Sequence, residues 1–272
     1  MADEDLSELI TYSTALIVAN ISNETFSAGT GFFINLCNSE DNTCVPVLMT
    51  NKHVVEGAKS FTFDMCHMDE EGRPIDTEVE TYKFDNKEWI MHPSPEIDLC
   101  CFPMGRIVNS KTSNGFHPYF KAFSTDLIPN QKQLSDFNAI EDIFMVGYPT
   151  GISDYYNHKP IFRKGITATH LKHDYRGKKE FLIDCPCFQG SSGSPVFMLN
   201  QGSYPGKSGI VIGTRFHLLG IAHGTHLANL IEVEECSTDG KSTIRLVPNN
   251  LGIIIKSELI LDFEPILKNL FS

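Results

Sequence analysis

The sequence lacks basic residues relative to acidic ones: 22 Lys and Arg face 34 Asp and Glu, giving a formal net charge of −12 over 272 residues. Phosphate binding rests on excess Lys and Arg, so a nucleic-acid partner is not expected. The same field still admits a basic peptide or protein partner. No apolar run approaches the roughly 20 residues of a membrane span, so no membrane partner is expected either. The N-terminus, Met1-Ala2-Asp3-Glu4-Asp5, has neither the basic nor the apolar region of a secretory signal. Repeats of fixed period are missing. Zinc-ligand spacing is missing too: Cys185 and Cys187, with His158, His170 and His173 scattered upstream, do not form a structural or catalytic set. No metal and no cofactor is therefore expected.

Cysteine is not scarce: positions 37, 44, 66, 100, 101, 185, 187 and 236 carry it. Cys100 and Cys101 are neighbours inside an apolar run and read as small buried hydrophobes. Without an export signal, reduced thiols and a cytoplasmic location are the expectation. At 41% hydrophobic and 21% charged residues the chain can fold into a packed core, so disorder is not the default for any long stretch.

Short runs rich in Val, Ile, Thr and Phe recur between Gly, Asn, Asp and Pro. Examples are Thr14 to Ile21, Gly31 to Leu36, Val45 to Thr50, Ile143 to Gly147, Ser194 to Leu199 and His217 to His223. That pattern predicts an all-β barrel or sandwich. Helical spacing shows at Lys256 to Leu270, where Pro265 starts a second segment or kinks the first, and a short helix is plausible near Asp3 to Tyr12. The stretch 109–133 is polar and poor in strand signals, which reads as a link between two β halves. The expected division is a first β-barrel over 1–108, the link at 109–133, a second barrel over 134–255 and a C-terminal helix over 256–272.

Three residues stand out chemically. Ser192 sits in Gly190-Ser191-Ser192-Gly193-Ser194-Pro195, a turn that could hold an exposed nucleophile or be simply a flexible loop. A serine hydroxyl attacks only when a base takes its proton. The N–H groups of Gly190 and Ser192 are candidates to stabilise the oxyanion. His53 ends an apolar strand, Leu48-Met49-Thr50-Asn51-Lys52-His53, where it is either that base or a hydrogen-bonded strand-end histidine. Asp98 lies in Ile97-Asp98-Leu99-Cys100-Cys101-Phe102, either orienting an imidazole or capping a turn after Pro93 and Pro95. The order His, Asp, Ser differs from that of subtilisins and of α/β-hydrolases.

In these motifs the chain resembles the trypsin-like, chymotrypsin-fold serine peptidases. The Ser192 turn is similar to their Gly-Asp-Ser-Gly-Gly-Pro. Thr50-Asn51-Lys52-His53-Val54 and Ala28-Gly29-Thr30-Gly31-Phe32 resemble segments of the HtrA-like branch, and Ile97-Asp98-Leu99 matches the acid motif. The resemblance implies two six-stranded antiparallel barrels with the site between them, peptide-bond hydrolysis, and a triad of His53, Asp98 and Ser192 with a Gly190 and Ser192 oxyanion hole. It also implies a substrate pocket walled by Pro186, Cys187, Gln189, His223, Gly224 and Thr225.

Two departures bear on that expectation. Position 191 is Ser, so the family's Asp-based zymogen switch is not expected. Pro186 stands where an acidic pocket floor selects Arg or Lys. His223 either recognises a Glu or Gln side chain of the substrate, buttresses Asp98 or faces solvent. No PDZ-like module is expected after the second barrel. A non-cleaving binding module on this fold, or a peptidase held latent until a protein partner orders the Gly190 turn, are the competing readings.

Overall fold

The computed structural model describes residues 6–22, 24–39, 43–108, 116–154, 156–207, 209–233 and 242–271, with side chains of 226–248 excluded. Cys236, the acidic N-terminus and part of the 109–133 link lie outside the described residues. Among the described residues no helix is long and apolar enough to cross a membrane.

The first half is a nine-stranded sheet built from β1 (Thr14–Asn20), β2 (Phe26–Leu36), β3 (Val45–Thr50), β4 (Ser60–Met68), β5 (Pro74–Asp85), β6 (Ile90–Met91), β7 (Cys100–Pro103), β8 (Pro118–Tyr119) and β9 (Phe123–Ser124). The second half adds β10 (Asp142–Gly147), β11 (Ile161–Thr167), β12 (Glu180–Asp184), β13 (Pro195–Asn200), β14 (Ser203–Gly206), β15 (Gly209–Ile212), β16 (Arg215–Val233) and β17 (Ser242–Lys256). Strands β10, β11, β12, β17, β16 and β13 close into a six-stranded barrel, while β14 and β15 form a separate hairpin.

The first half differs from the expected closed six-stranded barrel. Its path runs β5-β4-β1-β2-β3-β7-β6, with β8 added at β4 and β9 at β2. The sheet curls and its ends meet through side chains: Phe84 of β5 lies 4.7 Å from Phe102 of β7, ring to ring. The segment read as a link supplies β8 and β9, so part of it belongs to the first sheet.

Strand alternation explains the apolar runs around the chemistry. Phe32, Ile34 and Leu36 of β2, Val47 and Met49 of β3, and Cys101 of β7 face a core shared between the halves. Phe33, Leu48, Cys100 and Phe102, one position out of step, fill the interior of the first sheet. These strands are buried on both faces, which is why Asp98 leads into an unbroken apolar run. Val146, Phe197, Leu218 and Ile221 complete the shared core from the second half. Each fully buried phenylalanine there contributes about 1.5–3 kcal/mol relative to exposure. The barrel interior is separate and holds Ile143, Phe181, Val196 and Ile254.

At the C-terminus the helical periodicity resolves into a 3₁₀ segment, Ser257–Phe263, and an α-helix, Glu264–Phe271, with Pro265 in the first turn of the second. Proline has no N–H to donate and its fixed φ suits a helix start, so the break falls there. Ile260, Phe263 and Leu267 join the shared core beside Leu6, Leu9 and Ile10 of the N-terminal helix Leu6–Thr11.

Candidate active site

His53 stands on a one-turn helix, Lys52–Val55, that follows β3 directly. Val54 and Val55 bury its inner face, leaving His53 exposed. Three consecutive residues then reach the loop that carries the acid. Asn51 Nδ2 donates to the Asp98 carbonyl at 2.7 Å, Lys52 Nζ donates to the Ser94 carbonyl at 2.8 Å, and the His53 amide donates to Asp98 Oδ1 at 3.1 Å. The remaining carboxylate oxygen, Oδ2, lies 2.5 Å from His53 Nδ1. The imidazole is thus held edge-on to Asp98 with its far nitrogen free to face the cleft. Side-chain exposure of 43% for His53 against 25% for Asp98 puts the imidazole at the surface and the carboxylate behind it.

The Ser192 turn comes from the other half and is locked to the same region. Thr30 of β2 donates its amide to the Ser192 carbonyl at 2.8 Å and its hydroxyl to the Gly190 carbonyl at 3.0 Å. Thr50, three residues before His53, donates its hydroxyl to the Thr30 carbonyl at 2.7 Å. The Gly193 amide donates to the Ala222 carbonyl at 2.7 Å, and the neighbouring His223 lies against Asp98. Ser192 and His53 are therefore referred to each other twice, through Thr30 and Thr50 and through Ala222 and His223. Among the described residues no hydrogen bond joins Ser192 Oγ to the His53 ring.

Two glycines make the turn possible. Gly190 and Gly193 have φ of +86° and +85°, the left-handed region that side chains disfavour. A Cβ on Gly193 would overlap the Thr30 carbonyl oxygen. Gln189 turns its carbonyl to the Thr150 amide at 2.5 Å. Because a trans peptide opposes its C=O and N–H, the Gly190 amide points the other way. Among the described residues neither the Gly190 nor the Ser192 amide donates to the protein, leaving both for a ligand oxygen. Ser191, where the family's zymogen switch has Asp, is buried and its hydroxyl accepts from the Phe188 amide at 3.2 Å.

Of the pocket residues, Pro186 and Gln189 are exposed and Cys187 is buried. Thr225 donates its hydroxyl to the Cys187 carbonyl at 3.1 Å, joining the 186–189 wall to the 223–225 wall. The Arg163 guanidinium donates to the Pro186 carbonyl and lies 5.0 Å from the Phe188 ring centre. Burial pushes the Cys187 thiol up to about 12 and the Cys185 thiol upward, so neither is a thiolate nucleophile at neutral pH. The His223 ring faces Asp98 and Glu180. Its Nδ1 is 3.8 Å from Asp98 Oδ2 and its Nε2 is 3.4 Å from Glu180 Oε1. Two clefts of about 890 and 1070 Å³ are lined by Phe137, Tyr204 and Arg215, and by Ile90, Phe102 and Phe271. Neither includes the Ser192 turn.

Thr30, Thr50, Asn51 and Lys52 lie within the motifs but carry no role there, and Glu180 lies outside them. The available signal was polarity: Thr30, Thr50 and Asn51 are polar yet fully buried, and such groups are retained where they are bonded.

Among solved structures the chain is similar to the Rv3671c protease of M. tuberculosis. Its inactive form shares 14% identity at a TM-score of 0.44, covering 98% of this chain and 90% of that one. The active form shares 15% identity at 0.44, covering 92% and 78%. The serine endoprotease of Yersinia pestis shares 15% identity at 0.47, covering 98% and 67%. No curated protein sequence matches. The family model of the trypsin-like peptidase domain matches residues 29–206, which takes in β2, the His53 helix, the Asp98 loop, the Ser192 turn and β13, and the chain belongs to that family.

Proposed function

We propose that this protein is a serine endopeptidase that cleaves peptide bonds through Ser192, His53 and Asp98. The observation that carries the reading is the His53 Nδ1 to Asp98 Oδ2 contact of 2.5 Å. It lies beside a serine turn whose two outward amides have no partner among the described residues. In acylation Ser192 Oγ bonds to the scissile carbonyl carbon while its proton passes to His53 Nε2. Asp98 stabilises the resulting imidazolium through Nδ1–H. The carbonyl oxygen becomes an oxyanion facing the Gly190 and Ser192 amides, each such donor being worth about 2.7–4 kcal/mol in the transition state. His53 then returns the proton to the leaving amine, and water, deprotonated by the same imidazole, hydrolyses the acyl-enzyme.

The substrate is a peptide or protein, met without metal or cofactor. Ser191 rules a different activation from the Asp-based switch, and cytoplasmic action on reduced proteins is part of this reading. A fluorophosphonate probe is expected to label Ser192 in the purified protein, with Ser192→Ala and His53→Ala each abolishing labelling. Labelling should fall with falling pH, because an imidazolium accepts no serine proton. A folded protein that stays unlabelled at every pH, with and without protein partners added, overturns the reading. One observation favours a second form of it, activation by a protein partner: Ser192 Oγ is not hydrogen-bonded to His53. Labelling only after a partner is added would establish that form.

A further inference from the structure

Asp98 serves two histidines through one oxygen. Oδ2 lies 2.5 Å from His53 Nδ1 on the cleft side and 3.8 Å from His223 Nδ1 on the inner side. His223 in turn faces Glu180, its Nε2 being 3.4 Å from Oε1. Four groups, His53, Asp98, His223 and Glu180, thus form an alternating series of imidazole and carboxylate joined by three contacts. The inner pair is shielded, with side-chain exposure of 22% for His223 and 18% for Glu180. Peptide-bond cleavage as written above uses neither. A neutral imidazole has a single N–H, so it cannot satisfy both carboxylates, whereas an imidazolium donates to each. The buried Nε2 makes no hydrogen bond in the observed arrangement.

We propose that His223 is a positioning residue for Asp98 and a second proton-binding site, which when charged draws Oδ2 away from His53 and so sets an additional acid switch on the enzyme. This rests on the reading of His53 and Asp98 as base and acid. The groups that face His223 are Glu180 of β12, Lys178 just before it, Asp98 from the loop before β7, and His53 from its helix. Burial, the largest influence, pushes His223 below its ordinary range. Glu180 and Asp98 oppose that, and His53 and Lys178 reinforce it. The sign follows. At neutral pH His223 is uncharged and the whole Asp98 charge faces His53, as attack requires. On acidification His223 binds a solvent proton on its free ring nitrogen, no other bond changing, and the imidazolium on His53 loses part of its counter-charge. Two protons then oppose catalysis instead of one.

The test separates this coupling from catalysis. Histidine ring titrations are followed by ¹⁵N NMR in the Ser192→Ala protein, which needs no turnover. Two coupled protonation steps are expected for the histidine pair flanking Asp98. A single one-proton step is expected once His223→Asn is added, and Glu180→Gln should move the second step to lower pH. In the active enzyme, the acid side of log kcat/KM against pH is expected to approach a slope of about two, and about one in His223→Asn. Circular dichroism verifies folding; if His223→Asn does not fold, Glu180→Gln decides the matter alone. Identical His53 titrations with and without His223, or a second step unmoved by Glu180→Gln, overturn the proposal. Coupled titrations in a protein that never labels with fluorophosphonate sink the peptidase reading and leave the coupling standing.

Discussion

Gly193 shows how narrowly the nucleophile turn is specified. Its φ of +85° and the Thr30 carbonyl packed where a Cβ would go exclude any other residue without a backbone shift. The left-handed conformation alone costs a non-glycine residue roughly 1–2 kcal/mol. Gly193→Ala is therefore expected to destabilise the protein by more than about 1 kcal/mol and to suppress fluorophosphonate labelling, checked by denaturant melts beside the labelling rate. The glycine flanking Ser192 was visible in the sequence, as were His53 and Asp98, because each is a residue type that chemistry demands in a recognisable local motif. The places of Asn51 and Lys52 were not, since their partners, the Asp98 and Ser94 carbonyls, are local to them only after folding.

Between strands, the firmest polar tie in the second half is buried. Arg215 of β16 meets Glu141, just ahead of β10, at 3.1 Å through Nη1 and 2.5 Å through Nη2, and Asn200 of β13 accepts from the same guanidinium. The ring of Tyr204 lies 4.4 Å from Arg215 Cζ and that of Phe137 5.5 Å. Side-chain exposure is 9% for Arg215 and 5% for Glu141, so the pair is effectively out of water. Removing one partner leaves an uncompensated buried charge. Glu141→Ala should cost about 3–5 kcal/mol in urea unfolding, far beyond a surface ion pair. Three strands of this half, β10, β13 and the start of β16, followed from the apolar runs Ile143 to Gly147, Ser194 to Leu199 and His217 to His223, whereas β14, β15 and β17 did not. The bond between Arg215 and Glu141 did not, because nothing in strand periodicity says which strands become neighbours in a closed barrel.

Thr30 joins the two halves. From β2 it holds the Ser192 carbonyl by its amide and the Gly190 carbonyl by its hydroxyl, and the same hydroxyl accepts from the Tyr148 amide at 3.0 Å. Thr30→Val keeps the shape but strands the Gly190 carbonyl and the Tyr148 amide. A loss of about 1–3 kcal/mol is expected. Labelling should slow more than stability falls, because the Gly190–Ser191 peptide leading into Ser192 loses its fixed direction; comparing thermal unfolding with labelling rate checks this. A labelling rate equal to that of the unaltered protein would show that Thr30 does not set the turn.

The sequence by itself determined the class of the protein and the residue types offered for its chemistry. Alternating apolar runs favour strands whatever their neighbours, and a serine, a histidine and an aspartate each stand in a short local motif that can be read without the fold. Tertiary structure alone decided the rest: one half closes by hydrogen bonds and the other as a curled nine-stranded sheet, Thr30 bridges them, and His223 faces Asp98 and Glu180. The physical reason is that such contacts depend on distances between residues far apart in the chain, and local periodicity carries no record of them.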